Sequence, residues 1–229
     1  MHTLSLQGIT KAYDKVILND VNIKFNSGKI ISILGLSGAG KTTLLSIISG
    51  LIKPDNGTII LNEIKLNHKK DNNDFHNYFG MIFQKFQMFN HLNVYENIIA
   101  GSVNTLNYDL TKLNQIIVSL NMKEHLHKFP DQLSGGQLQR IGVIRALIKD
   151  PIIILADEPT GSLDPENSKE IIKILKSISL DDRLILLSTH DIGIALQSDE
   201  VYMLKNGSLQ IIDKDKLSEK ENLEELYQN

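Results

Sequence analysis

The sequence predicts an α/β fold: a mostly parallel sheet with helices, antiparallel strands at its N-terminal end, and an inserted helical segment. Three observations predict it. Short apolar runs alternate with helically spaced segments, as in a sheet whose crossovers are helices. Runs such as IIILA and LILLS read as buried strands. Strand patterns then vanish between about residues 85 and 150, where helical spacing takes over.

In chain order, LSLQGI, VNIKF and KIISIL read as strands, with AYDK and NSGK as turns. TTLLSIIS follows as a helix that Gly50 stops. DNGTIILNEIKL has the look of a hairpin and YFGMIF of another buried strand. NVYENIIAGS, LTKLNQIIVSLN and GQLQRIGVIRALI are helical in spacing, broken at FP and SGG. IIILA (152–156) and LILLS (184–188) resume the sheet, each followed by helical material, and EVYML with SLQII adds a late hairpin. There is no repeat, linker or second core, so residues 1–229 read as one domain, with 1–84 and 151–229 as its core and 85–150 as a helical subdomain.

Composition narrows the chemistry. With no cysteine in 229 residues, disulfides, thiolate metal sites and cysteine nucleophiles are excluded. No apolar run approaches the ~20 residues that span a bilayer, so any membrane role comes through a partner. Residues 213–229 hold six acids and three lysines, which accounts for the whole net charge of −3. The remainder is near neutral and predicts no nucleic-acid partner; the tail itself reads as a solvated helix.

Gly35-Leu36-Ser37-Gly38-Ala39-Gly40-Lys41-Thr42 satisfies GxxxxGK followed by Thr, between a strand and a helix. A triphosphate must be wrapped closely by backbone N–H groups, which Gly35, Gly38 and Gly40 permit. Lys41 is expected on the β- and γ-phosphates, Thr42 on Mg²⁺, and Thr43 at the α-phosphate. A capped glycine turn would leave Lys41 unexplained.

Asp157 and Glu158 end the apolar run Ile152–Leu155 and Ala156. Alternation along a strand predicts that they face opposite sides and divide the work: Asp157 for Mg²⁺ or its water shell, Glu158 for polarising an attacking water. His190 follows a second strand through Ser188 and Thr189, and a parallel sheet brings it to the same rim, where it can meet the γ-phosphate. The other histidines, His2, His68, His76, His91, His125 and His127, show no metal-ligand pairing, and His125 and His127 are expected to face solvent. In DQLSGGQLQR, Ser134 reads as the N-cap of a helix opened by Gly135 and Gly136, a start suited to an anion but with no anion in view.

Taken together, GLSGAGKTT, LSGGQ, IIILADEPTGSLD and STH resemble the ATPase subunit of ATP-binding cassette (ABC) transporters, over essentially the whole chain and in the right order. The resemblance implies a phosphate-loop NTPase core and ATP with Mg²⁺ as cofactors. It makes Leu133, Ser134, Gly135, Gly136 and Gln137 a signature that serves ATP held by a second copy of the chain. It further implies that Tyr13 stacks on adenine, that Gln84 contacts Mg²⁺ and the attacking water, and that Ser162, Leu163 and Asp164 cross the dimer interface. Leu36, Ser37 and Ala39 join the phosphate loop as ATP-binding positions. The implied partners are transmembrane permease subunits and, through them, a solute-binding protein. The expected location is peripheral, at the cytoplasmic face of the membrane. FGMIFQKFQMFNHLNVYENI looks like the importers of polar amino acids, whereas ADEPTGSLD and THDIG look like the lipoprotein-release, macrolide-export and cell-division branches. The leading expectation is import of a small polar solute such as an amino acid. Relatives that act on nucleic acid or ribosomes usually carry two cassettes, and this chain has one.

Overall fold

The computed structural model describes residues 1–66, 78–102, 108–220 and 222–227. His68, His76 and Glu221 lie outside the described residues.

Strands β1 (Thr3–Ala12), β2 (Val16–Asn26), β4 (Asn56–Leu61) and β5 (Ile64–Leu66) form an antiparallel sheet in the order β2-β1-β4-β5. The hairpin anticipated at 55–66 closes through Asn62 and Glu63, both at positive φ (49° and 70°), the backbone that matches strand twist in a two-residue turn. The second sheet has six strands in the order β10-β9-β3-β8-β7-β6. Here β3 (Lys29–Leu34), β6 (Phe79–Ile82), β7 (Ile153–Asp157), β8 (Leu184–Thr189) and β9 (Glu200–Lys205) run parallel, and β10 (Ser208–Ile212) returns antiparallel to β9.

The apolar runs of β7 and β8 follow from burial on both faces. Ile153, Leu155, Leu184 and Leu186 join one core, shared with α1 (Lys41–Ile48) and the antiparallel sheet. Ile154, Ala156, Ile185 and Leu187 join another, on the side of α5 (Pro165–Ser179) and the helical span. A period-two chain in which both phases are buried has no polar alternation left to show. That helical span contains α2 (Val94–Ile99), α3 (Leu110–Ser119) and α4 (Gly135–Leu147), and among its described residues no strand interrupts them.

The tail departs from expectation. Instead of one solvated helix, it forms α7 (Lys214–Ser218) and a 3-10 helix, Leu223–Leu226. Leu217 and Leu223 are buried with Leu34, Ala195 and Val201 in a third core, beside α6 (Ile192–Ala195). Two leucines six positions apart amid charge are a weak periodic signal. No helix among the described residues is long and apolar enough to cross a membrane.

Candidate active site

The parallel order of the six-stranded sheet brings the ends of β3, β7 and β8 to one rim, since consecutive residues pair across them: Leu34 with Thr189, and Asp157 with Ser188. The loop from Gly35 leaves β3 and enters α1 at Lys41. Gly40 turns it at φ 104°, and a Cβ there would lie 2.7 Å from Ile17 Cγ2, so both backbone and space require glycine. Because α1 begins immediately afterwards, its first N–H groups have no carbonyl a turn earlier. Among the described residues, no protein acceptor takes the N–H of Gly38, Gly40, Lys41, Thr42 or Thr43. Such a row of donors at a helix start is an anion cradle.

Lys41 is nearly buried and reaches back along the loop, donating to the carbonyls of Gly35 (2.8 Å) and Leu36 (3.1 Å). Its Nζ also lies 3.3 Å from Glu158 Oε1. The other oxygen, Oε2, accepts from Gln84 Nε2 at 3.2 Å and stands 3.2 Å from His190 Nδ1. Glu158 therefore joins residues from three other segments. Thr42 donates its hydroxyl to Asp157 Oδ2 at 2.8 Å, and Ser188 donates to Asp157 Oδ1 at 2.5 Å.

One expectation is corrected. Asp157 and Glu158 do not face opposite sides: their carboxylates converge on the adjacent residues Thr42 and Lys41. Strand alternation stops at Asp157, and Glu158 takes a left-handed backbone (φ 44°), held by its N–H donating to Ser188 Oγ (3.0 Å) and Ser188 C=O (3.1 Å). In the sequence Ser188 is only the polar end of a strand, and a hydroxyl closing an apolar run is its one signal.

A cleft of about 320 Å³ spans Tyr13, Ile17, Ser37, Gly38, Gly40, Lys41, Thr42, Thr43, Gln84 and Glu158. Tyr13 is 58% exposed at its mouth, with Lys11 Nζ 5.3 Å from its ring centroid. Glu158 and His190 also face a second cleft of about 410 Å³, with Thr160, Gly161, Leu163 and Thr189.

Residues 133–137 line neither cleft. Ser134 is the N-cap of α4 as anticipated: Gln137 N–H donates to its Oγ (3.4 Å), and Ser134 N–H donates to Gln137 Oε1 (3.0 Å). The remaining Gln137 amide N–H₂ meets His125 Nε2 at 3.2 Å. His127 is exposed, but His125 is half-buried against the signature, which corrects its expected exposure; a turn rich in Lys and Glu gave no hint of it. Gly136 packs so closely that a Cβ would sit 2.1 Å from Asn167 Oδ1. Asn167 in turn donates to Asp164 Oδ2 at 2.6 Å, and Asp164 caps α5. Bonds from the Asn167 backbone and side chain hold the Asp164 carboxyl below its ordinary range. The signature and the loop Ser162–Asp164 are thus one packed unit.

Arg145 was also missed. From α4 it donates to the carbonyls of Phe86 (2.8 Å) and Gln87 (2.8 Å), just beyond Gln84. Burial pushes its pKa down. A lone cation inside GVIRAL was the available signal.

Residues 18–161 match the family described as ABC transporter. The lipoprotein-releasing system ATP-binding protein LolD of Rickettsia bellii (strain RML369-C) is 38% identical over 217 residues, covering 90% of this chain and 96% of that protein. The glutamate/aspartate import ATP-binding protein GltL of Escherichia coli (strain K12) is 33% identical over 213 residues, covering 90% and 88%. Among solved structures, a dimeric post-hydrolysis state of the ATP-binding cassette MJ0796 bound to ADP and Pi superposes with a TM-score of 0.81 at 30% identity, covering 92% of this chain and 98% of that one.

Proposed function

Because this chain belongs to the ABC transporter family as an ATP-hydrolysing, ATP-binding subunit, we propose that it works as a head-to-tail pair in which each copy completes the other's ATP site. The observation that carries this reading is the separation of the two half-sites. Among the described residues the donor-lined loop 35–43 and the glycine-started helix α4 both offer free N–H groups, yet residues 133–137 line neither of the two clefts beside the loop.

In this reading Gly35 to Thr43 cradle the phosphates, and Lys41 exchanges the carbonyls of Gly35 and Leu36 for phosphate oxygens. Tyr13 stacks on the adenine. Thr42 Oγ1, Asp157 Oδ2 and Gln84 Oε1 are hard oxygen donors that fit Mg²⁺, which when bound would neutralise charge on the β- and γ-phosphates. Glu158, with Gln84 and His190 at its Oε2, orients and polarises the attacking water, while His190 meets the γ-phosphate. Leu133 to Gln137 and the loop Ser162–Asp164 are presented to the partner copy. Residues 85–150 act as the helical subdomain. Arg145 ties its signature helix to the segment after Gln84, so events at the γ-phosphate reach α4. A groove of about 540 Å³ lined by Phe86, Gln87, Met88, Asn90, Pro130, Asp131 and Leu138 adjoins that segment, flanked by the exposed rings of Phe89 and Phe129. It suits a membrane-spanning partner at the inner face of the membrane.

Mixing a Ser134→Arg chain with a Lys41→Ala chain tests the pairing. Each is expected to be inactive alone, and the mixture to recover about one working site per mixed pair. No recovery would place the signature on its own chain's nucleotide.

Two readings of the cargo have separate support. Residues 79–98 and the similarity to a glutamate/aspartate import subunit favour a small polar solute, an amino acid, delivered through a solute-binding protein. Gly161-Ser162 in ADEPTGSLD and the 38% identity to LolD favour a lipoprotein-release type of complex. Co-purification of this chain from its native membrane decides: an importer permease supports the first and excludes the second, and a release-type permease does the reverse.

A further inference from the structure

The Gly35–Leu36 peptide, at the root of the phosphate loop, is gripped from both sides. The Gly35 C=O accepts from Lys41 Nζ at 2.8 Å. The Leu36 N–H donates at 3.3 Å to the hydroxyl of Tyr227, a residue 191 positions later in the chain. The same hydroxyl donates to the C=O of Leu204 in β9, at 2.5 Å. A phenol can accept and donate through one oxygen, so Tyr227 bridges a sheet strand to the start of the loop.

The bridge is itself held in place. Tyr227 follows the 3-10 helix Leu223–Leu226, whose Leu223 is buried in the third core. Lys205 Nζ donates to Leu226 C=O at 3.0 Å and lies 5.6 Å from the Tyr227 ring centroid. Burial raises the phenol's pKa, which keeps it protonated and able to donate to Leu204.

We propose that Tyr227 is a positioning residue for ATP binding: it fixes the Gly35–Leu36 peptide, so that Lys41 can leave the Gly35 and Leu36 carbonyls for a phosphate without the loop root following. The proposal rests on the reading of residues 35–43 as the phosphate loop. Once Lys41 has moved, the Tyr227 hydroxyl is the side-chain group still holding that peptide, and losing it lets the row of donors spread over more conformations before each binding event. The effect belongs to nucleotide binding and not to the chemical step.

The test compares the full chain with Tyr227→Phe, Tyr227→Ala and Lys41→Ala, using ADP affinity by calorimetry, steady-state ATP hydrolysis and thermal unfolding. Tyr227→Phe keeps the ring and its packing. It is expected to weaken ADP binding and raise KM for ATP by about fivefold, the worth of one ordinary hydrogen bond, with kcat nearly unchanged and the unfolding midpoint lowered by only a few degrees for the two hydroxyl hydrogen bonds removed. If Tyr227→Phe binds ADP like the parent and only Tyr227→Ala is impaired, ring packing is responsible and the proposal is overturned. A fall in kcat with unchanged KM overturns it too. Parent-like ADP affinity in Lys41→Ala would instead remove the phosphate-loop reading beneath it, so the two failures are distinct.

Discussion

Glu158 accepts from Gln84 and contacts His190 and Lys41, and replacing it by Gln separates its structural work from its chemical work. Oε2 serves Gln84 and His190, and Oε1 faces Lys41 at 3.3 Å. A Gln side chain of the same shape can keep its oxygen toward Gln84 and His190 and turn its amide to Lys41. Lys41 retains two carbonyl acceptors, at 2.8 and 3.1 Å, so its ammonium is not orphaned, although the new amide N–H₂ faces it donor to donor. The structural cost is one charge-assisted contact, about 1.5–3 kcal/mol, or a midpoint drop of roughly 3–12 °C for a domain of this size. ATP binding should persist, since the negative charge removed lies beside the approaching phosphates. Turnover should fall by about 10²–10⁴, the usual contribution of a positioned base. Phosphate release, ATP-binding calorimetry and gel filtration with ATP measure these effects, the last expected to show an accumulated dimer. Turnover within threefold of the parent, in a folded variant that binds ATP, would refute the assignment of the base.

Gly40→Ala combines a left-handed backbone with a methyl 2.7 Å from Ile17 Cγ2; it should cost about 1–3 kcal/mol and weaken ATP at least tenfold, and unchanged affinity would show that the loop tolerates another course. Gly136→Ala drives a methyl into Asn167 Oδ1 and should lose about 1–3 kcal/mol of stability. Adding Asn167→Ala should restore most of it in chemical denaturation, and absence of rescue would mean that the clash is not the cause. Asp150 is held below its ordinary carboxyl range: burial works in the opposite direction, but bonds from Lys112 and Arg183 outweigh it. A depressed folded pKa stabilises above the unfolded value of about 4 and is lost as pH falls through the folded one. Asp150→Asn should therefore be less stable than the parent at pH 7, by about 1 kcal/mol or less after solvent screening, with the gap closing below about pH 4; a gap constant to pH 3 would exclude the ionic origin.

What the sequence by itself determined is local and periodic. Apolar runs ending at Leu34, Ala156 and Leu187 locate β3, β7 and β8, because strands buried on both faces leave continuous apolar text. Glycines before Lys41 locate the loop, because only they permit its backbone, and the four motifs in order locate the family. Only the tertiary structure decided how the pieces meet. Convergence of Asp157 and Glu158 depends on a left-handed residue placed by Ser188, a partner 30 positions away. Burial of His125 against Gln137, the clamp of Arg145 and the reach of Tyr227 to Leu36 join residues 12, 58 to 59 and 191 positions apart. A hydrogen bond of that kind is set by the packing of whole elements. It leaves no periodicity in the chain, and a polar residue making it reads the same as one facing water.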